Sequence, residues 1–292
     1  MTNSAIAYYP GCSGKGSSEE YDLSTRAVMR RLGAEPQEIE DWNCCGSSPA
    51  HMVNHELSAA LSGRNLAQAK RMGHHLVTTP CPSCLTNLKN AQQAAWDEDK
   101  RLKINKLMDD ECPTDVDSIS TLQFFTEHIG LDRIREAVVS PLPALRVACY
   151  YGCLTTRPPK LMRFDDPENP MSMDNILAAC GIEVVPFPLK TDCCGAASGM
   201  PRNDITTRLS GKILDMASEL KADAVAVACP LCQMNLDLRQ SQVNRARRSR
   251  YRMPIFYFTQ LMGLAMGLPE KELGLSKLAV NPEPCLARAG VR

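Results

Sequence analysis

No stretch of this 292-residue sequence is apolar for long enough to cross a bilayer, which takes ~20 residues. The best run, Ile255 to Leu268, is fourteen residues held between Pro254 and Pro269. Direct membrane insertion is therefore excluded, and membrane contact is expected only through a partner. An excess of one charge is also missing: 33 Lys and Arg balance 33 Asp and Glu, so no general basic field attracts nucleic acid or anionic lipid. The one dense basic run, Arg245 to Arg252, has no stacking aromatic beyond Tyr251. It reads as a solvated helix end, or as a docking patch for an acidic protein or anionic substrate, and nucleic acid is not an expected partner. The opening residues, MTNSAIAYYPGC, lack a basic segment followed by an apolar core and a small-residue cleavage site, so a cytoplasmic location is expected. The ferredoxin run C-x-x-C-x-x-C-x-x-x-C-P is absent, and no G-x-G-x-x-G follows the first strand. An ordinary relay cluster and a flavin site of the chain's own are thereby excluded.

Cysteine, by contrast, is abundant. Fourteen are present in a chain that is 44% hydrophobic and 23% charged, long enough for one large core or two of roughly 100–150 residues. In a reducing compartment, and at this size, a disulfide framework is not expected. Ten of the fourteen form two matching sets, Cys12, Cys44, Cys45, Cys81 and Cys84, then Cys153, Cys193, Cys194, Cys229 and Cys232. Each set reads Gly-Cys, Cys-Cys-Gly, Cys-Pro-x-Cys, with gaps of 31 and 35 residues in the first and 39 and 34 in the second. Thiolates are the soft ligands of iron–sulfur clusters, zinc and Cu(I). Five per set is one more than a structural zinc or an ordinary cubane [4Fe–4S] cluster uses, which favours iron–sulfur while leaving zinc open.

The repetition extends beyond cysteine. Tyr9, Gly11 and Cys12 answer to Tyr150, Gly152 and Cys153 at an offset of 141, and Gly33 and Cys81–Leu88 answer to Gly181 and Cys229–Leu236 at 148. This is an internal duplication, with domains expected at 1–142 and 143–292 and a linker around Val139 to Leu145. Each copy reads as strand, Gly-Cys, helix (Glu19 to Leu32, or Asp174 to Cys180), extended segment, Cys-Cys-Gly, helix (Glu56 to Met72, or Asp204 to Leu220), strand, Cys-Pro-x-Cys. The expected fold class is α/β: two pseudo-symmetric Rossmann-like domains with mostly parallel sheets, ligands gathered beyond the strand C-termini, and long C-terminal helices in each half. Thr121–Gly130 and Pro254–Gly263 read as related segments that pack the halves together, and Met108 to Ser120 as a solvated connection.

These motifs, with Tyr150-Tyr151-Gly152-Cys153, Arg157-Pro158-Pro159-Lys160 and Phe164 through Pro170, resemble the paired cysteine-rich (CCG) domains of the heterodisulfide reductase B subunit over essentially the whole chain. The resemblance implies two noncubane [4Fe–4S] clusters, one per five-cysteine set, facing each other across a pseudo-twofold interface. It implies an oxidoreductase acting on sulfur groups, in which a disulfide is cleaved or formed between the clusters, each taking one sulfur and supplying one electron. The surplus thiolate would distort each cluster and open one iron to substrate. Implied partners are a ferredoxin-like protein, the C subunit of such reductases, and either a flavoprotein, their A subunit, or a membrane cytochrome. Implied substrates are the coenzyme M–coenzyme B heterodisulfide or another small-molecule or protein-bound thiol or disulfide, such as lipoate-bound sulfur. Alternatives are a CCG subunit of a lactate- or glycolate-oxidising or fumarate-reducing complex, which the complete double set makes less expected, and a non-catalytic electron-transfer or zinc-stabilised scaffold.

Four further residues are candidates for substrate contact. Arg157 and Lys160 could meet a carboxylate or phosphate. His51 and His55, spaced i, i+4 just after Cys-Cys-Gly, could form a second metal site, supply a proton to a departing thiolate or merely begin a polar helix. Cys149, Cys112, Cys180 and Cys285 have no place in the repeat. Cys180 is expected in the core, and Cys149 in the core or supporting the site.

Overall fold

Residues Ser4–Tyr8 (β1) alternate two faces, and the alternation decides which side of the first half each side chain serves. Ile6 and Tyr8 join the large core, while Ala7 and Tyr9 join a separate cluster with Cys45, Cys81 and Cys84. The computed structural model describes residues 4–47, 49–199 and 201–291. β1 is followed by α1 (Glu19–Arg31), β2 (Ala34–Glu38), α2 (His55–Arg71), β3 (Leu76–Thr79), α3 (Pro82–Ala95) and β4 (Asp117–Ser120). The second half repeats the order with β5 (Arg146–Tyr150), α4 (Ser172–Ala179), β6 (Glu183–Val185), α5 (Asn203–Glu219), β7 (Ala224–Val227), α6 (Pro230–Leu236), β8 (Ile255–Tyr257) and α7 (Phe258–Ala265). The strands form two four-stranded sheets, β2-β1-β3-β4 and β6-β5-β7-β8, parallel throughout.

Local chemistry accounts for the boundaries. α1 opens with Glu19, Glu20 and Asp22 and closes with Arg30 and Arg31, matching the helix dipole at both ends. Gly33, at φ +77°, follows as the left-handed residue that ends the helix, and an added Cβ would lie 2.6 Å from Arg133 Nη2. α3 and α6 each begin with proline after an extended cysteine, so Cys81 and Cys229 cap the helices while Cys84 and Cys232 fall in the first turn.

Two expectations change. Each sheet has a fourth strand beyond the three the sequence indicates, and β4 occupies the end of the stretch read as a solvated connection, with Ser118, Ile119 and Ser120 buried. These edge strands form because β3 and β7 offer them hydrogen-bonding partners, with Thr79 opposite Ser120 and Val227 opposite Tyr257. The helices that close the halves are short pieces: Thr121–Gln123 runs into a π-helical turn, Phe124–Ile129, and Leu131–Ala137 follows, while α7 has eight residues. Thr121–Gly130 and Pro254–Gly263 are consequently out of phase, since the second begins with strand β8. They still meet across the halves, Phe125 against Phe258 with ring centroids 5.9 Å apart, and Ser24 of α1 shares a 2.8 Å hydrogen bond with Thr259. The large apolar core runs through both halves. No helix among the described residues is long and apolar enough to cross a membrane.

Candidate metal centres

The three cysteine motifs of each half follow the C-terminal ends of three neighbouring strands: Cys12 after β1, Cys44 and Cys45 after β2, Cys81 after β3, and in the second half Cys153, Cys193 and Cys194, and Cys229 after β5, β6 and β7. Loops there converge beyond one sheet edge. All fourteen cysteines are free. In the first half Cys45, Cys81 and Cys84 are buried and Cys12 and Cys44 exposed; in the second Cys194, Cys229 and Cys232 are buried, Cys153 is half-buried and Cys193 exposed. The Sγ atoms of Cys45 and Cys84 are 3.3 Å apart and those of Cys194 and Cys232 3.7 Å, well beyond a disulfide bond.

The motif glycines make these approaches possible. Gly11 has φ +67°, and an added Cβ would sit 3.0 Å from Cys84 Sγ; Gly152 has φ +74° and the corresponding distance to Cys232 Sγ is 2.8 Å. Each Cys-Cys-Gly loop is then pinned to the following helix by a pair of hydroxyls one turn apart. Ser58 Oγ donates to Gly46 O (3.1 Å) and Ser62 Oγ to Cys45 O (2.8 Å), and in the second half Thr206 Oγ1 donates to Gly195 O (3.0 Å) and Ser210 Oγ to Cys194 O (3.0 Å). Asn87 Nδ2 points at Cys45 Sγ at 3.9 Å and Asn235 Nδ2 at Cys194 Sγ at 3.5 Å. Tyr9 and Tyr150 donate to the carbonyls of Asn43 (2.8 Å) and Asp192 (2.6 Å) just before the cysteine pairs. None of the serine, threonine or asparagine pins was assigned from the sequence, although Ser58 and Thr206, Ser62 and Ser210, and Asn87 and Asn235 recur at the same offset of 148 as the Cys-Pro-x-Cys motifs.

Crowding of sulfur governs the electrostatics. Burial first, then the charges of Cys84, Cys45, Cys44 and Cys12, push the Tyr9 phenol up, and burial with Cys232, Cys194, Cys153 and Cys229 does the same to Tyr150. A hydrogen bond from the Cys84 thiol brings Cys45 down to about 6, and one from Cys153 brings Cys193 down to about 6. In the second half the buried Cys194 is lowered too, by its hydrogen bond with Cys232, so each half offers thiolate character, buried at Cys45 and Cys194 and exposed at Cys193, of the kind a soft metal needs. Among the described residues no three His, Cys, Asp or Glu side chains are gathered as ligands of a single ion. The donor set suits a multi-metal cluster held around its edge better than one tetrahedral ion.

The candidate substrate residues fall in different places. His51 and His55 stack edge to face at 4.8 Å and line a cavity of about 350 Å³ with Ser58 and Asn87 of the first set and with Lys100 and Lys103. The Arg157 guanidinium is committed to Glu168 Oε2 (2.6 Å) and Pro167 O (2.8 Å) of its own loop and to Thr191 Oγ1 (3.0 Å) of the loop that leads to Cys193. Lys160 is exposed on the short helix Pro159–Met162. Of the remaining cysteines, Cys112, Cys180 and Cys285 are buried, and burial raises their thiols to about 11, 12 and 11. Cys149 lies beside a buried ion pair, Lys190 Nζ to Asp174 Oδ1 at 2.8 Å, to which Tyr151 also donates (2.6 Å). Within the basic run, Arg247 and Tyr251 both bond Asp215, tying that segment to α5.

The family model for the cysteine-rich domain (CCG) matches the chain twice, at residues 6–89 and 147–237. The chain is 34% identical to the 8-methylmenaquinol:fumarate reductase membrane anchor subunit of Wolinella succinogenes, over 94% of this chain and 97% of that one. It is 25% identical to the B subunit of the ferredoxin:CoB-CoM heterodisulfide reductase of Methanosarcina mazei, over 97% and 96%. With a protein of Archaeoglobus profundus described as like the heterodisulfide reductase B subunit, the identity is 24%, over 91% and 92%. A crystal structure of a hypothetical protein from Helicobacter pylori superposes with a TM-score of 0.73 over 95% of this chain at 13% identity. This chain spans about half of that one, 52%, and the likeness is one of fold.

Proposed function

We propose, since the chain belongs to the cysteine-rich (CCG) domain family and carries that domain twice, that it is an iron–sulfur subunit of a multi-subunit reductase complex. Cys12, Cys44, Cys45, Cys81 and Cys84 would hold one cluster, and Cys153, Cys193, Cys194, Cys229 and Cys232 the other. The observation that carries this reading is the duplication of each thiol set down to its pins, Ser58, Ser62 and Asn87 against Thr206, Ser210 and Asn235. The fifth thiol in each half supports a noncubane type. When bound, each cluster supplies a one-electron centre.

Two one-electron centres match the chemistry of a disulfide, which takes two electrons and two protons to become two thiols. On this reading the chain acts on a small-molecule or protein-bound disulfide or thiol, as its relative in Methanosarcina mazei is named for doing. A ferredoxin-like subunit would exchange the electrons, linked to a flavoprotein or a membrane cytochrome, because the chain carries no relay run of its own. The protein side of the reaction is positioning: the hydroxyl pins hold the Cys-Cys-Gly loops at the buried Cys45 and Cys194, while Cys12, Cys44, Cys153 and Cys193 are the less buried thiols of the two sets.

A second reading is favoured by the identity of 34% to a fumarate reductase subunit, against 25% to the heterodisulfide reductase B subunit. The same centres would then relay electrons in a quinol-linked reductase. The complete double set of cysteines, counted above against a fumarate-reducing assembly, does not outweigh a relative so named that aligns over 94% of the chain.

Iron and acid-labile sulfide measured on anaerobically purified protein test the common ground: about eight irons per chain are expected for two four-iron clusters, and two zinc ions would refute it. Electron paramagnetic resonance then separates the readings. A new signal on adding a thiol to the oxidised protein supports sulfur chemistry, and an unchanged spectrum with co-purification of a fumarate reductase flavoprotein supports the relay.

A further inference from the structure

Lys89, Gln92, Gln93 and Trp96 line one wall of a cavity of about 290 Å³, and Leu161, Met162 and Arg163 of the second half line another. It lies on the seam between the halves, where Leu85 packs with Leu161 and Met162. The duplication provides a counterpart. At an offset of 148 the four first-half residues become Asp237, Gln240, Ser241 and Asn244, which line a second cavity together with Ala279 and Val280.

In that counterpart the chain's own backbone is the bound partner. The buried Asp237 carboxylate accepts hydrogen bonds from Ala279 N (2.7 Å) and Val280 N (3.0 Å). Gln240 exchanges two more with Met253, Nε2 to the carbonyl and the backbone N to Oε1, both at 2.9 Å. The first half reverses the charge, and no segment among the described residues makes the corresponding bonds. Lys89 is 7% exposed, yet its ammonium, with three N–H donors, meets Asp117 Oδ1 only at 3.5 Å, long for a hydrogen bond. That oxygen already accepts from Ser118 N at 2.6 Å, and the Asp117 side chain is more than half exposed. Gln123 Oε1, on the same cavity, is buried without a hydrogen-bond partner among the described residues. Buried polar groups left so poorly paired burden the fold, and an apolar residue at position 89 would line the cavity without that burden.

We propose that this cavity is a docking slot for an extended, acidic segment of a partner subunit, whose Asp or Glu carboxylate pairs with Lys89 and Arg163 and whose backbone N–H donates to Gln123 Oε1. The inference rests on the reading of the chain as one subunit of a larger complex. Three features select this occupant. The counterpart cavity binds polypeptide; Lys89 with the exposed Arg163 outweighs Asp117 in charge; and Trp96, 54% exposed, offers with Leu161 and Met162 an apolar surface to the residues flanking the acid. Lys89 stands on α3 about 7.5 Å of helix rise after Cys84, so the docked segment ties the partner to the helix that carries part of the first thiol set.

The test is carbodiimide cross-linking of the anaerobically purified complex, mapped by mass spectrometry. The reagent joins an ammonium to a carboxylate in contact with it, forming an amide while the carbodiimide takes up the water. Lys89 is expected to be joined to an Asp or Glu of another chain. Lys89→Met and Arg163→Glu are each expected to weaken subunit association by about tenfold or more on dilution, with iron content and Tm unchanged. Arg163 is on the surface, so its variant tests the slot even where Lys89→Met does not fold. Lys89 joined only to Asp117 of its own chain, or variants that dissociate as the parent does, overturn the inference and leave the subunit reading intact. A small acid on Lys89, seen as an added mass, also overturns it, because the cavity then takes a free molecule. A parent chain that purifies with no companion subunit overturns the subunit reading itself.

Discussion

Gly152→Ala tests how closely the backbone must approach sulfur in the second half. Gly152 has φ +74°, and an alanine Cβ would stand 2.8 Å from Cys232 Sγ, well inside normal contact. Two costs follow. The left-handed backbone strains any L-residue by roughly 1–2 kcal/mol, and the Cys232 thiol, itself buried, must move away from the position shared with Cys194. Gly73 separates these costs, since it has φ +82° with nothing within 4 Å of an added Cβ. Gly73→Ala therefore carries the strain alone. Gly73→Ala should lose about 1–2 kcal/mol in urea denaturation of the apo chain and Gly152→Ala more than that, and only Gly152→Ala should bind less metal, falling from about eight irons toward about four. Gly11→Ala, with its Cβ 3.0 Å from Cys84 Sγ, should do the same to the first half. A Gly152→Ala protein that keeps its full iron and an unaltered second-half spectrum would refute the argument that this glycine exists to admit the sulfur.

Other expectations follow from the same geometry. Lys190→Met leaves Asp174 buried without its cation, and should destabilise the fold by about 3–5 kcal/mol in urea denaturation; Lys160→Met, on the surface, should cost almost nothing. Ser210→Ala and Ser62→Ala each remove one hydroxyl bond to the carbonyl of a paired cysteine, about 1 kcal/mol by thermal melting, and each should loosen metal retention against a chelator in its own half only. The raised thiols of Cys112 and Cys180 make alkaline pH destabilising. Unfolded thiols ionise near 9 and these only at about 11 and about 12, so the contribution is complete below pH 9 and is lost as pH rises toward those values. The slope is about 1.4 kcal/mol per pH unit for each group. Cys180→Ala should flatten the alkaline limb of apo-chain stability against pH, and an unchanged limb would show that this thiol is not what ionises.

The site was legible in the sequence to the extent that it is written in residue types with few other uses. Cysteine in repeated spacing, the proline after Cys81 and Cys229 at a helix start, and glycine at the helix end after Arg31 state their structural roles locally, and the strand–helix order and the three motif-bearing strands of each half follow from them. The pins Ser58, Ser62 and Asn87 were not legible, because a serine or asparagine on a helix looks the same whether it meets water or a loop carbonyl or thiol 12 to 42 residues away. The fourth strands were hidden for a related reason. Asp117–Ser120 has no apolar alternation of its own and becomes strand only because β3 presents an unpaired edge beside it.

Sequence by itself determined that there are two copies, which ten thiols form the two sets, and that each set lies beyond the ends of parallel strands, since those properties depend on residue type, spacing and local backbone preference. Tertiary structure alone decided which thiols are buried, which polar groups hold their loops, and that Tyr21 and Tyr257 stack between the two halves. Those depend on contacts between residues up to 236 positions apart, and no local pattern encodes a neighbour that only folding brings near.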